Sequence, residues 1–382
     1  MQVSHIRINL IKIAILLFVF KALLGCQHPE LLTIPPVIDA ACIGVGIVVF
    51  LLKVFSYRFG CKDFFLFAGC GLFVLFTCYQ IKQYDLLISF ITIFLLRDEN
   101  LDEYVRMIFK YQIIMMIAIF GAMSVYHFGY FEHIYWYRLL DRTSFMACMS
   151  HPNILATCVI SLMLMYVWLN FEDFTFNKYL ALITVTVILF LLTDTRTTFI
   201  LSLFFLSFVY WMRGERVKII ISKYLKFLFP SMGIAVFFLI KQYINGNAWL
   251  LWLDSLVSGR IKLGSYAYYH SGIAILPRML EYARDGIVQW EQQWQLNAFA
   301  FDNLYSFIWI QLGVVWFVFI SVFIHYLIKK TDYKCHCFII LWIIYGFTEV
   351  QGLSCYRFFP LLLAVKIFNE VKEKESEKAV EE

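Results

Sequence analysis

Apolar runs long enough to cross a membrane follow one another along almost the whole chain, with short polar clusters between them. The hydrocarbon core of a bilayer is about 30 Å thick and needs about 20 helical residues. With 62% hydrophobic and 15% charged residues, the composition excludes an ordinary soluble domain. We therefore predict an all-α polytopic membrane protein with about 12 transmembrane helices, in a range of roughly 10 to 13. The runs lie near residues 8–25, 37–55, 63–80, 84–97, 106–126, 152–170, 177–193, 195–212, 226–244, 304–328, 336–350 and 353–368.

Lysine and arginine cluster in every second connection between these runs, and the positive-inside rule places those connections in the cytoplasm. Both termini are then cytoplasmic, and the connections 127–151, 193–196, 245–303 and 349–353 face outward. Topology explains the net charge of +5 without a nucleic-acid partner. We predict one transmembrane domain, 1–368, followed by a charged cytoplasmic tail, 369–382.

The connection 245–303 is by far the longest, and we predict a large extracytoplasmic loop there. Part of it, residues 276–294, carries apolar side chains at alternating spacings of four and three, the period of a helical stripe. The pattern predicts an amphipathic helix that lies in the membrane interface. A lid that packs without taking part in chemistry is the alternative. The stripe consists of Leu276, Leu280, Ala283, Ile287, Trp290 and Trp294.

Several arginines fall on the predicted outer side, where they contribute nothing to orientation. Arginine stays charged and binds phosphate oxygens with a planar fork, so such a set suits a phosphate or pyrophosphate ligand at the membrane surface. Pairing with local acids or lipid headgroups is the competing interpretation. The set comprises Arg138, Arg142, Arg196, Arg260, Arg278 and Arg284.

The ten cysteines follow no disulfide pattern, and several lie within apolar runs. Cys335-His336-Cys337 lacks a second ligand pair at zinc spacing. We predict neither a metal site nor a cofactor.

Five short motifs, in this order along residues 130–360, resemble the O-antigen and capsular polysaccharide polymerases and their sister O-antigen ligases. These are integral membrane glycosyltransferases with a large extracytoplasmic loop. One departure favours polymerase over ligase: Asp302 stands where ligases carry a histidine. The motifs are Ser150-His151-Pro152-Asn153 after Arg138 and Arg142, Thr193-Asp194-Thr195-Arg196-Thr197-Thr198, Ser258-Gly259-Arg260, Asp302-Asn303-Leu304-Tyr305 with Gly313, and Gly346-Phe347-Thr348-Glu349.

The resemblance implies a metal-independent enzyme of the bacterial cytoplasmic membrane. It would transfer a polyprenyl-pyrophosphate-linked oligosaccharide onto another lipid-linked repeat unit on the outer leaflet. Donor and acceptor lipids are the implied ligands, membrane lipids surround the protein, and a flippase and chain-length regulators are implied partner proteins.

Such a reaction needs a cation for the departing pyrophosphate and a base for the acceptor hydroxyl. Arg260 is the first candidate for the cation, followed by Arg196 and Arg142. Candidate bases are Asp302, His270, Glu281 and Glu349, and Arg357 is a candidate partner for Glu349. Further candidate substrate-binding residues are Arg138, Arg278, Arg284, His151 and Asn303.

Three other functions stay open from the sequence. An O-antigen-ligase-type transferase would share the motifs. A transporter or flippase of lipid-linked sugars would also need an arginine-lined cavity, but it predicts charges within the spans and internal repeats, and no repeat is visible. A structural or sensor membrane protein leaves the ordered motifs unexplained.

Overall fold

A computed structural model describes residues 2–27, 35–57, 59–126, 136–139, 142–145, 149–212, 214–286, 288, 291, 294–296 and 298–368. The chain divides into two compact units. The first comprises Met1–Phe59, Ile88–Met212 and Ser354–Glu382, and the second comprises Gly60–Leu87 and Arg213–Leu353. Nearly all regular structure is helical, as the apolar runs predict.

The helices of the first half follow the predicted runs closely. Pro36 and Pro152 each stand in the first turn of a helix, where proline's missing N–H costs no hydrogen bond. These helices are α1 Gln2–Leu24, α2 Pro36–Ser56, α3 Cys61–Ile81, α4 Asp85–Leu95, α5 Leu101–Tyr126, α6 Pro152–Leu169, α7 Phe176–Thr193 and α8 Arg196–Trp211.

The second half alternates long and short helices. It contains α9 Glu215–Ile244, α10 Ala248–Leu256, α11 Arg260–Ser271, α12 Glu281–Asp285 and α13 Leu304–Phe307. A π-helical turn, Ile308–Leu312, then leads into α14 Val314–Lys330 and α15 Tyr333–Tyr345. The 3₁₀ turns Gln351–Leu353 and Phe359–Val365 follow, so the run near 353–368 is not the continuous α-helix that its hydrophobicity predicts.

Six helices are long and apolar enough to cross a membrane, judged by length and composition in the described part of the chain. They support a multi-span membrane protein, whereas the predicted count of twelve is not confirmed. The six segments are Pro36–Ser56, Phe64–Ile81, Leu101–Ala122, Pro152–Leu169, Phe176–Thr193 and Glu215–Ile244.

A β-hairpin in the connection 127–151 is an addition to the all-α prediction. Strand β1, Trp136–Leu139, pairs antiparallel with β2, Arg142–Phe145, with Leu139 opposite Arg142. Each strand is only four residues long, and neither WYRL nor RTSF alternates apolar with polar residues, so the pattern that identifies a strand in sequence is missing.

Polar contacts add to the apolar packing of the first unit. Trp168 of α6 donates from its indole Nε1 to Asp102 Oδ1 at 2.6 Å. Tyr356 is buried, its hydroxyl lies 2.8 Å from the hydroxyl of Thr92, and its carbonyl accepts from the Gln112 side chain. Trp168, Thr92, Gln112 and Tyr356 are buried, and these bonds give their polar groups the partners that water cannot supply there.

In the second unit, α9 packs against α14 and α15. Phe229 of α9 stacks on Phe317 of α14 and on Trp342 of α15, with ring centroids 5.7 and 5.8 Å apart. Gly233 permits this approach, because a Cβ there would lie 2.3 Å from the Phe317 ring. The Trp309 indole donates to the Gly233 carbonyl at 2.9 Å, which fixes the π-helical turn against α9.

The predicted amphipathic helix over 276–294 is wrong. Among the described residues of that range, only the five of α12 are helical, and Gly286 ends them in the left-handed region at φ +69°. Ile287 and Trp290 of the predicted stripe lie outside the described residues. The backbone before α12 forms hydrogen bonds with the π-helical turn instead of within a helix. The N–H of Ala274 donates to the Trp309 carbonyl, and that of Arg278 donates to the Gln311 carbonyl. Leu280 and Trp294 are buried, but in a cluster with Tyr266, Phe299 and Ile310 rather than along one helix face.

Candidate functional site

Arg260 opens helix α11 after a tight turn. Ser258 and Gly259 both adopt left-handed backbone conformations, with φ +59° and +80°. The carboxylate of Asp254 in α10 then accepts the N–H groups of Ile261 at 2.8 Å and Lys262 at 3.0 Å. Two otherwise unsatisfied donors of the helix start are thereby bonded, and the start of α11 is tied to α10.

The guanidinium of Arg260 is buried and bonded through all three nitrogens. Nε donates to the Thr348 carbonyl at 2.6 Å, Nη1 to the Val257 carbonyl at 3.2 Å, and Nη2 to Glu349 Oε1 at 3.1 Å. Arg260 is 5% exposed and Glu349 is 7% exposed, so their side chains have the geometry of a buried ion pair. The pair joins two motifs that lie 89 positions apart in the sequence.

Glu349 lies beyond the end of α15, outside the helix. Burial raises its pKa to about 7, while Arg260 opposes the rise and the nearby Asp302 carboxylate adds to it. The contact with Arg260 alone would favour the charged carboxylate, but the cost of removing that charge from water is larger here. Glu349 is therefore a carboxyl group that changes charge near neutral pH.

Asn303 holds the segment that carries Glu349. Its side-chain oxygen accepts the N–H groups of Tyr305 and Ser306, which caps α13, and its Nδ2 donates to the Phe347 carbonyl at 2.7 Å. The N–H of Leu304 donates to the Gly346 carbonyl at 2.8 Å. The predicted substrate-binding Asn303 thus positions residues 346–349.

Asp302, next to this clamp, is half-buried. Burial raises the pKa of its carboxyl, and Arg260 partly offsets that rise. In the part of the chain that the structure describes, no donor forms a hydrogen bond to its carboxylate. Asp302 is thus the more accessible carboxylate of a cluster formed with Arg260 and Glu349, which is an environment typical of functional acids and bases.

Arg278 lies outside this cluster and bonds to backbone. Its Nε donates to the Ile310 carbonyl at 2.9 Å, and Nη2 donates to the carbonyls of Ser271 and Gly272, each at 2.7 Å. These carbonyls belong to the C-terminal end of α11 and to the π-helical turn. Three of the five N–H donors of an arginine are therefore used to fasten the loop.

His270 lies ten residues after Arg260 on the same helix, which corresponds to about 15 Å along the axis. Its Nε2 is 3.0 Å from Glu291 Oε1, and both side chains are about one-third exposed. The structure therefore does not bring His270 into the Arg260 cluster. Glu281, at the start of α12, is exposed.

Four further predicted residues belong to the first unit. His151 caps α6, because its Nδ1 accepts the Asn153 N–H at 3.1 Å, and burial lowers its pKa. Arg196 is exposed at the start of α8. Arg138 and Arg142 lie on the paired strands, where the structure describes the backbone. For Arg284, in α12 of the second unit, the structure likewise describes the backbone.

Sequence reasoning missed Asp254 and the pairing of Arg260 with Glu349. An acid followed by a Ser-Gly turn and a helix start is a recognisable capping signal, so Asp254 could have been found. The pairing had no local signal, since the two apolar helices α14 and α15 separate its members.

The Cys335-His336-Cys337 sequence lies in α15, and His336 bonds to protein groups there. Its Nε2 is 3.1 Å from the Ile328 carbonyl, and its Nδ1 is 3.2 Å from the Ser222 hydroxyl. Among the described residues, no group of three or more His, Cys, Asp or Glu side chains is arranged to hold a metal ion.

Comparison of the chain with protein-family models, with curated proteins and with solved structures finds no match.

Proposed function

We propose that the protein is a membrane glycosyltransferase that polymerises polyprenyl-pyrophosphate-linked oligosaccharide repeat units into a surface polysaccharide. The observation that carries the proposal is the cluster of Arg260, Glu349 and Asp302 in one unit, formed by three motifs of the resemblance. Two carboxyl groups with raised pKa values beside one cation supply the group types that the reaction needs.

The reaction itself is a substitution at an anomeric carbon. The acceptor hydroxyl oxygen forms the new C–O bond while the bond from that carbon to the pyrophosphate oxygen breaks. The bonding electrons leave with the polyprenyl pyrophosphate, and the hydroxyl proton passes to a base. No nucleotide is needed, because the energy resides in the pyrophosphate linkage.

Asp302 is the proposed base, because it is the more accessible of the two carboxyl groups. Its raised pKa makes it a stronger proton acceptor than an ordinary aspartate. Arg260 contributes its positive charge to the departing pyrophosphate. Because the guanidinium is 5% exposed and already donates to three protein oxygens, that contribution is electrostatic rather than the bidentate contact expected from the sequence.

The test supplies the purified, reconstituted protein with polyprenyl-pyrophosphate repeat units and no nucleotide. A ladder of lipid-linked products with regular spacing supports polymerisation, and the same ladder in the presence of a chelator supports metal independence. When lipid A core is added as an alternative acceptor, transfer of one unit to it without a ladder would indicate a ligase. Movement of the substrate across the membrane without new glycosidic bonds would indicate a transporter.

A further inference from the structure

Helix α10 has two unlike faces. Leu250 and Asp254 are buried, whereas Trp249, Trp252 and Leu256 are 52%, 65% and 59% exposed. The exposed three are spaced by three and four residues, so they form one stripe. At nine residues the helix is about 14 Å long, too short to cross a bilayer.

A second exposed apolar strip lies at the start of α14. Ile275 is 73% exposed, and Ile273 and Leu276 are also exposed. The N–H groups of Val314 and Val315 donate to the carbonyls of Ala274 and Ile275, at 2.9 and 3.2 Å. The strip is therefore fixed to the first turn of α14.

Both strips lie at the same end of the helix pair α9 and α14. These helices run antiparallel, since Phe229 packs on Phe317 while Phe237, two turns later in α9, packs on Trp309 before α14 begins. The C-terminal end of α9 is thus beside the N-terminal end of α14. Helix α10 begins four residues after α9 ends.

We infer that α10 is an interfacial anchor that lies on the bilayer, with Trp249, Trp252 and Leu256 in the headgroup and upper acyl layer. α9 is one of the candidate spans, so the end where it stops and α10 begins lies at a membrane surface. Tryptophan favours that layer because its ring is apolar and its N–H can reach water or headgroups. Lys241, in the last turn of α9, supplies a cation for lipid phosphate.

The anchor has a consequence for Arg260. Asp254, on the opposite face of α10, accepts the N–H groups of Ile261 and Lys262 at the start of α11. The depth of α10 in the interface therefore sets the depth of Arg260. The anchor itself does not depend on the proposed polymerase activity.

The test uses tryptophan fluorescence of the full-length protein in phosphatidylethanolamine and phosphatidylglycerol vesicles. The lipids carry a nitroxide either near the headgroup or at the end of the acyl chain. Subtracting the emission of the Trp249→Phe, Trp252→Phe variant from that of the wild type isolates the two indoles. We expect the shallow nitroxide to remove roughly twice as much of this difference emission as the deep one.

Quenching by acrylamide in water without quenching by either lipid would overturn the anchor, as would stronger quenching by the deep nitroxide. Trp294→Phe is the matched control, because Trp294 is 6% exposed. Its difference emission should respond weakly to acrylamide and to both nitroxides. If the double variant fails to fold, the single variants Trp249→Phe and Trp252→Phe are measured separately.

Discussion

Two arginines of the 245–303 connection differ in what they bind. Arg278 donates to three backbone carbonyls around the C-terminal end of α11. Arg260 also donates to carbonyls, but its Nη2 contacts the carboxylate of Glu349, and Asp302 lies within its electrostatic reach. The sequence places both residues in the same predicted class of phosphate-binding arginines.

The difference shows that an arginine in an outward loop is not by itself evidence for a ligand. A loop that leaves regular structure has carbonyls without partners, and arginine is well suited to bond several of them. The neighbouring carboxyl groups with raised pKa values distinguish the Arg260 region, because such groups are costly to keep in a buried position.

The largest difference is expected between the effects of replacing Arg260 and of replacing Arg278. Arg260→Ala removes the cation of the cluster, so we expect chain extension to fall by at least about 1,000-fold and single lipid-linked repeats to accumulate. Arg278→Ala should lower the melting temperature, through a loss of about 1–3 kcal/mol, and leave the rate per folded molecule nearly unchanged. Product ladders and melting curves measure both.

Arg260→Ala also leaves Glu349 buried without this partner, so loss of folding must be distinguished from loss of chemistry. Arg260→Lys keeps the charge but cannot reproduce the three-way bonding of the guanidinium. A folded Arg260→Lys variant with normal ladder length would contradict the need for arginine there. Normal ladders in Arg260→Ala would remove Arg260 from the mechanism.

Asp302→Asn is expected to have the next largest effect. The amide cannot accept the hydroxyl proton, so the rate should fall by about 100-fold or more while binding of the lipid-linked substrate is retained. Single-turnover rates and substrate affinity, measured separately, test this. Asn303→Asp at the neighbouring position is a useful contrast, since it should disturb the clamp on Phe347 and lower stability instead.

Glu349→Gln should change the pH dependence of stability. The folded protein keeps a proton on Glu349 from its ordinary pKa of 4.5 up to about 7, whereas the unfolded chain releases it. Wild-type stability should therefore fall, relative to Glu349→Gln, as pH rises from about 4.5 to about 7. Melting temperatures of both proteins across that range provide the measurement. Parallel curves would show that Glu349 does not titrate there.

The smallest effect is expected at His270 and Glu291. Because this pair is partly exposed, its contribution to stability should be below about 1 kcal/mol. His270→Gln should also leave the rate of chain extension within about threefold of the wild type, because His270 lies about 15 Å along α11 from Arg260. A loss of activity comparable to that of Asp302→Asn would make His270 a candidate for the catalytic base again.

Much of the helical arrangement could be predicted because it depends on local chemistry. The run predicted at 152–170 is α6, Pro152–Leu169, and that at 177–193 is α7, Phe176–Thr193. Proline, polar clusters and apolar length mark such boundaries directly. The motif order also singles out Arg260, Asp302 and Glu349, whose side chains the structure brings near one another, and their role as a site stays a prediction.

The failures have non-local causes. The stripe at 276–294 has a helical period, but backbone bonds to the π-helical turn and the left-handed Gly286 override it. Gly313 also depends on a contact with a distant part of the sequence. It adopts φ +95°, and a Cβ there would lie 2.5 Å from the Ile275 carbonyl oxygen. The bond between Arg260 and Glu349 likewise requires the packing of α13 and α15, which no short stretch encodes.

The separation of Arg260 from Glu349 bears on how the protein is made. The chain between them contains α14 and α15, and 89 positions take about 4–18 seconds to synthesise. During that time Arg260 has left the ribosome and Glu349 has not yet been synthesised, so the cluster cannot form until α14 and α15 have been made. A chain released before residue 349 would carry most of its apolar helices but lack a finished site.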